Sequence, residues 1–197
     1  MAGGGSTRFG EDKACAILGG KPMLTRICDM LSAVASPVYV VAPLERYGFA
    51  TQSVIQDRWP GEGPLGGIIT ALHNTQERLS STSWNLIVSC DMPFLTSDWL
   101  NYLCDFALKS GVKAVVPASA HGREPLCACW QTSGLQQIQS AFEGGMRRVN
   151  DALKLLDAEV LDEAHWKRFD SAGRLFWNMN TAEDYREAQR ILEAERT

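Results

Sequence analysis

Apolar positions recur along the chain in two alternating rhythms. Met23, Leu24, Ile27, Leu31 and Val34 follow helical spacing behind Pro22, a residue suited to a helix start. Val38 to Val41 is a short, nearly continuous apolar run between Pro37 and Pro43, which suits a buried strand, and 53–56 reads as another. Leu65, Ile68, Ile69 and Leu72 form the inner stripe of a helix predicted over 65–79. The run Asn-Leu-Ile-Val-Ser predicts a strand over 84–89 with no face left for water. Thr96 or Ser97 caps a helix through Leu108, with Gly111 beyond its end. Strands are predicted at 113–117 and 125–130, and helices at 135–142 and 147–156. Thr181 caps a last helix towards Glu195, with Glu183 and Asp184 near its positive N-terminus.

Buried strands alternating with helices predict an α/β fold: one domain over residues 1–197, built on a mostly parallel sheet with helices on both faces. Such sheets bind ligands beyond the carboxyl ends of their strands. There is no internal repeat, low-complexity segment or linker. Composition narrows the function classes. Lys plus Arg number 19 against 23 Asp plus Glu, a formal charge of −4 without basic runs, which excludes electrostatic nucleic-acid binding. The longest apolar candidate, Met30 to Pro43, is broken by Ser32, Ser36 and Pro37 and falls short of the roughly 20 residues that span a bilayer, so no membrane is expected. The first residues lack the charged-then-apolar pattern of a signal peptide, and a cytoplasmic location is expected. Six cysteines without a Cys-x-x-Cys then read as reduced thiols. Cys127 and Cys129 face one way on a strand with His121 nearby, but small core residues are the favoured reading over a metal site.

Three loops following predicted strands carry candidate chemistry. In Gly3-Gly4-Gly5-Ser6-Thr7-Arg8-Phe9-Gly10-Glu11-Asp12-Lys13, glycines let backbone N–H groups approach an anion, and Arg8 and Lys13 add full charges, as a polyphosphate requires. It is neither a Walker A loop, since Glu11 stands where Lys should follow Gly10, nor a dinucleotide fingerprint, since Arg8 takes the third glycine's place. The second loop runs from Asp57 through Gly63-Pro64-Leu65-Gly66-Gly67, where a ligand ring can approach backbone. The third is Ser89-Cys90-Asp91-Met92-Pro93, which places a carboxylate at a buried strand's end, where a hard cation such as Mg²⁺ can sit. Cys90 lacks a His partner and reads as a structural thiol. Near the end, Asn178 and Asn180 share one face of an extended segment. There is no Gly-x-Ser-x-Gly, and His73, His121 and His165 read as surface residues.

Together these stretches resemble one family. Met1-Ala2-Gly3-Gly4-x-Ser6-x-Arg8-x-Gly10-x-Asp12-Lys13 is similar to the nucleotidyltransferase signature Leu-Ala-Gly-Gly-x-Ser-x-Arg-x-Gly-x-Asp-Lys, and Gly19-Gly20-Lys21-Pro22-Met23-Leu24 matches the family's next segment. The stretches at Gly63–Gly67, Cys90–Leu95, Gly145-x-Arg147-Arg148-Val149 and Asn178-x-Asn180-Thr181-x-Glu183-Asp184 stand in the family's order over essentially the whole chain. The closest branch is the molybdenum cofactor guanylyltransferases.

The resemblance implies a Rossmann-like fold and transfer of GMP from GTP to molybdopterin cofactor, giving the guanine dinucleotide cofactor and pyrophosphate, with Mg²⁺ as cofactor. Arg8, Lys13 and Asp91 are then the catalytic set, with Asp91 on the metal. Met1, Ala2, Gly3, Gly4, Gly5, Ser6 and Lys13 hold the triphosphate, while Asp57, Gly63, Pro64 and Leu65 read the guanine. Arg147, Arg148, Asn178 and Asn180 face the molybdopterin, with the Arg123–Pro125 stretch on the same side. The implied partners are GTP, molybdopterin cofactor, and the molybdoenzymes or chaperones that receive the product.

Two positions depart from the pattern: related transferases often carry Asp where Asn180 stands, and the nucleotide-facing position after Val38–Val41 is apolar at Val41 and Ala42. A cytidylyltransferase for the same cofactor is the alternative enzyme. It is disfavoured because Gly4 leaves room for a purine where those enzymes tend to carry Leu-Ala-Ala-Gly. A non-catalytic cofactor-binding protein is the alternative from outside catalysis. The family's signature comes after an apolar central strand, and here Met1 stands at that strand's last position. A truncated first strand is therefore expected, with a chain that starts upstream or is unstable and poorly active as written.

Overall fold

A 3₁₀ turn over Lys13–Cys15, capped by the Asp12 carboxylate on Ala14 N at 3.1 Å, leads into a small hairpin of β1 (Ile17–Leu18) and β2 (Lys21–Pro22). The computed structural model describes residues 12–43, 52–79 and 83–195. Helix α1 (Met23–Ser32) buries Met23, Leu24, Ile27 and Cys28, as its spacing predicts. Strands β3 (Tyr39–Ala42) and β4 (Ser53–Gln56) pair in parallel, with Tyr39 opposite Ser53 and Ala42 opposite Gln56. Helix α2 (Pro64–Arg78) opens on Pro64, whose missing N–H costs nothing in a first turn.

Strand β5 (Trp84–Val88) is followed by α3 (Ser97–Lys109), where the Thr96 hydroxyl caps Trp99 N. Next come β6 (Ala114–Ser119), β7 (Gly122–Arg123), β8 (Cys127–Gln131), α4 (Leu135–Glu143) and α5 (Val149–Leu155). The chain finishes with β9 (Glu159–Leu161), a single-turn helix α6 (Glu163–Trp166) and α7 (Ala182–Ala194).

The main sheet runs β5–β8–β6, with β9 on the other side of β6 and β7 extending its end. Strands β6 and β9 are parallel, and β5 shares their direction because both β5 and β6 are antiparallel to the β8 between them. The mostly parallel sheet expected from the alternation thus contains two reversed strands, β8 and the two-residue β7. Only residues 120–126 separate β6 from β8, too short for the crossover that a parallel pair needs. Helix periodicity did not reveal β1, β2, β7, β9 or α6, because two to four residues carry no readable period.

Successive side chains of the central strands enter different cores. Ile87, Ala114, Val116, Ala128 and Trp130 pack with α2, α4 and α5. Val88, Val115, Cys127 and Cys129 pack with α1, α3 and the Ala188 face of α7. This alternation is why β6 and β8 have no wet face. It also makes Cys127 and Cys129 fully enclosed core residues, with burial pushing the Cys127 thiol up to about 12. On the α3 side, Trp99 is fully buried and packs edge-on against Phe176, with Tyr102 and Phe169 against the same ring.

Replacing Trp99 with alanine removes the largest side chain from this core. The expected loss is about 3–5 kcal/mol of unfolding free energy, read by urea denaturation. A loss below about 1 kcal/mol would show that α3 is not the anchor described.

Candidate active site at the carboxyl ends of the strands

Three signature segments, far apart in sequence, meet where β5 ends. Strand β5 runs into Ser89-Cys90-Asp91, and Met179 N donates to Asp91 O at 2.8 Å, strapping the C-terminal segment across the strand end. Met179 is fully buried, so its neighbours Asn178 and Asn180 both lie on the opposite side of the strap. Asn180 Oδ1 accepts from Lys13 Nζ at 2.9 Å, which brings the end of the glycine-rich segment to the same place. The Asn178 amide instead turns back and donates to Phe176 O at 3.2 Å.

The capping box of α7 holds this strap. Thr181 Oγ1 accepts from Asp184 N, while one Asp184 carboxylate oxygen accepts from Thr181 N at 2.7 Å and Asn180 N at 2.8 Å. Burial would lift the Asp184 carboxyl. The two backbone donors, the Thr181 hydroxyl and the Lys13 charge outweigh it and hold the group below its ordinary value.

Asp91 Oδ1 is buried and has no hydrogen-bond partner among the described residues. A buried carboxylate oxygen left in this state is costly unless a donor or cation meets it. A second carboxyl, Glu124, is only 8% exposed and accepts from Ser119 Oγ at 2.6 Å. Burial pushes its pKa up and the nearby Asp91 charge adds to the push, against the Ser119 hydrogen bond and His121. The Arg123–Pro125 stretch therefore sets a buried acid electrostatically close to Asp91. Cys90 is held by the same enclosure, its thiol pushed up to about 11 mainly by burial, which makes it an inert packing group.

The second loop forms its own rigid unit. Asp57 Oδ1 accepts from Trp59 N at 3.0 Å and lies 3.1 Å from Thr70 Oγ1 on α2. Gly63 has φ +87°, a conformation that favours glycine, and it caps α2 without a side-chain acceptor. At Gly66 a Cβ would lie 3.1 Å from the Trp59 Cβ, so a side chain there would need the loop to give by a few tenths of an ångström. Leu65 is fully buried in the α2 core; what it can offer a ligand is backbone at the helix N-terminus, where the dipole favours negative charge.

Arg147 joins this loop rather than the Lys13–Asn180 group. Its Nε donates to Glu62 Oε2 at 2.7 Å, a second nitrogen donates to Phe142 O at 2.6 Å, and the guanidinium lies 4.1 Å from the Phe142 ring centroid. Glu62 gave no signal in the sequence beyond its place between two glycines. Arg148 is exposed at the N-cap of α5. Lys13, Asp91, Asn178 and Asn180 thus gather at one strand end, while Asp57, Gly63, Pro64, Leu65 and Arg147 gather at the adjoining loop. Met1, Ala2, Gly3, Gly4, Gly5, Ser6 and Arg8 lie outside the described residues.

Comparison with known proteins bears on this arrangement. Residues 1–159 match the family model described as a MobA-like NTP transferase domain. A protein of Deinococcus radiodurans named probable molybdenum cofactor guanylyltransferase is 34% identical over 150 residues, covering 75% of this chain and 74% of its own. A molybdenum cofactor guanylyltransferase of Desulfosudis oleivorans is 28% identical over 199 residues, covering 100% of this chain and 95% of its own. The crystal structure of molybdopterin-guanine dinucleotide biosynthesis protein A from Archaeoglobus fulgidus superposes with a TM-score of 0.82 at 24% identity. It covers 98% of this chain and 96% of that one, a likeness of fold.

The Asp184 interaction gives the strap a pH dependence of definite sign. A carboxyl depressed in the folded state stabilises fully above its unfolded value, about 3.9, and loses that contribution as pH falls through the folded value. Urea unfolding of wild type and Asp184→Asn should therefore differ most above about pH 5, and the difference should shrink as pH falls below the unfolded value. A difference that grows on acidification would overturn the assignment.

Proposed function

The chain belongs to the MobA-like NTP transferase domain family, and on that premise we propose that it transfers GMP from GTP to molybdopterin cofactor, giving the guanine dinucleotide cofactor and pyrophosphate. A terminal phosphate oxygen of the molybdopterin attacks the α-phosphorus of GTP, the α–β bridging bond breaks, and pyrophosphate leaves. Such a transfer needs positioning and neutralisation of phosphate charge more than covalent help from the protein. The observation that carries the reading is the meeting of Lys13 and Asn180 at the strand end that delivers Asp91, whose buried Oδ1 has no hydrogen-bond partner among the described residues.

Lys13 is the phosphate-binding cation. The Asn180 amide oxygen holds its ammonium without cancelling the charge, which an aspartate there would do. Asp184 fixes the Asn180 backbone, so the ammonium's position is set by α7. Asp91 is the group to hold Mg²⁺: a hard cation matches a carboxylate oxygen that no donor among the described residues satisfies. When bound, that ion supplies neutralisation of phosphate charge.

The Asp57–Gly67 loop, stiffened by Thr70 from within and by Arg147 through Glu62, presents backbone and the Asp57 carboxylate to the guanine. Arg147 acts by keeping that loop in place, and Arg148 and Asn178 are left to face the molybdopterin. Arg8 and the backbone from Met1 to Ser6 complete the triphosphate cradle. The product passes to molybdoenzymes or the chaperones that serve them. A cytoplasmic location accords with this role, and among the described residues no helix is long and apolar enough to cross a membrane.

The decisive assay supplies GTP or CTP in competition, with molybdopterin cofactor and Mg²⁺. Preferential GMP transfer is expected, and preferential CMP transfer would sink the proposal. Asp91→Ala and Lys13→Ala should each lower turnover by at least about a hundredfold while the circular dichroism spectrum stays that of wild type. Chelation with EDTA should abolish turnover, and excess Mg²⁺ should restore it.

A further inference from the structure

Thr70 is a polar residue in the buried stripe of α2, where Leu65, Ile68, Ile69 and Leu72 surround it in sequence, and it is only 1% exposed. A hydroxyl so enclosed needs partners. Its oxygen accepts from Arg58 N at 3.1 Å, and it lies 3.1 Å from Asp57 Oδ1 and 3.0 Å from Gly66 O. One hydroxyl proton serves one of those two acceptors at a time. Gly66 O, one helical turn back, is the usual recourse of a threonine in a helix. A carboxylate is the stronger acceptor, so the proton goes to Asp57.

Asp57 is then held at both ends. Its backbone N donates to Ala42 O at 3.4 Å, which ties it to the end of the parallel β3–β4 pair. On the side chain, Oδ1 takes two donors, Trp59 N at 3.0 Å and the Thr70 hydroxyl. Oδ2 accepts from none of the described residues. The Trp59 N–H alone cannot tell the two oxygens apart, because the carboxylate can turn over and offer it either one. A second donor, from a different element, fixes the plane of the carboxylate and leaves Oδ2 as the oxygen for a ligand. Guanine carries a 2-amino donor beside its N1–H, and hypoxanthine has the N1–H without that amino group.

We propose that Thr70 is a positioning residue for base selection: its hydroxyl engages Asp57 Oδ1 and so turns Oδ2 towards the 2-amino group of guanine. This rests on the reading of the Asp57–Gly67 loop as the guanine site. Thr70 is buried under the loop and acts only through Asp57. Valine in its place keeps the volume but removes both the proton and the acceptor. Arg58 N and Asp57 Oδ1 each lose a partner, and Oδ2 is no longer singled out. Lys13 and Asp91 lie at the neighbouring strand end and keep their places.

The test compares GTP with ITP, its analogue lacking the 2-amino group, on the 197-residue chain with Mg²⁺. Both are measured as ligands by equilibrium titration without acceptor, and as donors to molybdopterin cofactor. Wild type should favour GTP by at least about tenfold, the worth of a hydrogen bond to a charged group. Thr70→Val should cut that preference to below about threefold, by weakening GTP binding and raising KM for GTP rather than by lowering kcat. Thr70→Ser, which keeps the hydroxyl, should restore it. Asp57→Asn should lose the preference outright, and adding Thr70→Val to it should take away nothing more, because both act through one carboxylate. Should the valine chain fail to fold, Thr70→Ser against Thr70→Ala repeats the comparison of a hydroxyl with none. If Asp57→Asn loses the preference while the folded Thr70→Val or Thr70→Ala chain keeps it, the proposal is overturned and the guanine site stands. If Asp57→Asn selects as wild type does, the reading of the loop falls and the proposal with it.

Discussion

The hydrogen bond from Met179 N to Asp91 O joins residues nearly half the chain apart, and the candidate site depends on it. Asp91 is delivered by β5, a strand whose side chains enter cores on both sheet faces, so its end has little freedom. Met179 is fixed by complete burial of its side chain in the α3 core. With both partners anchored by apolar packing, a single backbone hydrogen bond suffices to set Asn180 beside Lys13. The polar arrangement is thus positioned by the core, and its own hydrogen bonds only complete it. The Asp184 carboxylate shows the same economy of parts, since it serves both as the capping box of α7 and as the clamp on the Asn180 backbone.

The loop from Asp57 to Gly67 is held differently. Its ends belong to β4 and α2, and its interior is tied by short contacts: Asp57 to Thr70, Trp59 packed against Gly66, and Glu62 to Arg147. The ion pair is half exposed, so its charge attraction alone is weak in water. Its hold comes from the guanidinium being shared with Phe142 O and stacked on the Phe142 ring, which is itself edge-on to Trp59. The resemblance sets Arg147 towards the molybdopterin, and in the structure its guanidinium is engaged by a nearby carboxylate and an aromatic ring.

The elements that pattern could reveal are the long ones. Helices α1, α2, α3, α4 and α7 and strands β3, β4, β5, β6 and β8 lie within a residue or two of their expected spans, because each carries several apolar positions at one period. The reversed direction of β8 was not legible, since a buried strand has the same composition whichever way it runs. Nor were the two-residue strands, which hold no period to read. The family motifs marked Lys13, Asp57, Asp91, Arg147, Arg148, Asn178 and Asn180 without saying which of them meet.

What the sequence by itself determined is the set of groups available: a glycine-rich cationic segment, a carboxylate at a strand end, paired asparagines ahead of a capped helix, and a buried α/β core to carry them. Those follow from residue identity, spacing and period, which are properties of the chain alone. The tertiary structure decided the pairings. It gave Lys13 to Asn180, Arg147 to Glu62 and Glu124 to the neighbourhood of Asp91, and it left Asp91 Oδ1 without a partner among the described residues. It also left a cavity of about 170 Å³ between β3 and β5. Each of these depends on distances between residues remote in sequence, which are fixed only when both cores have packed.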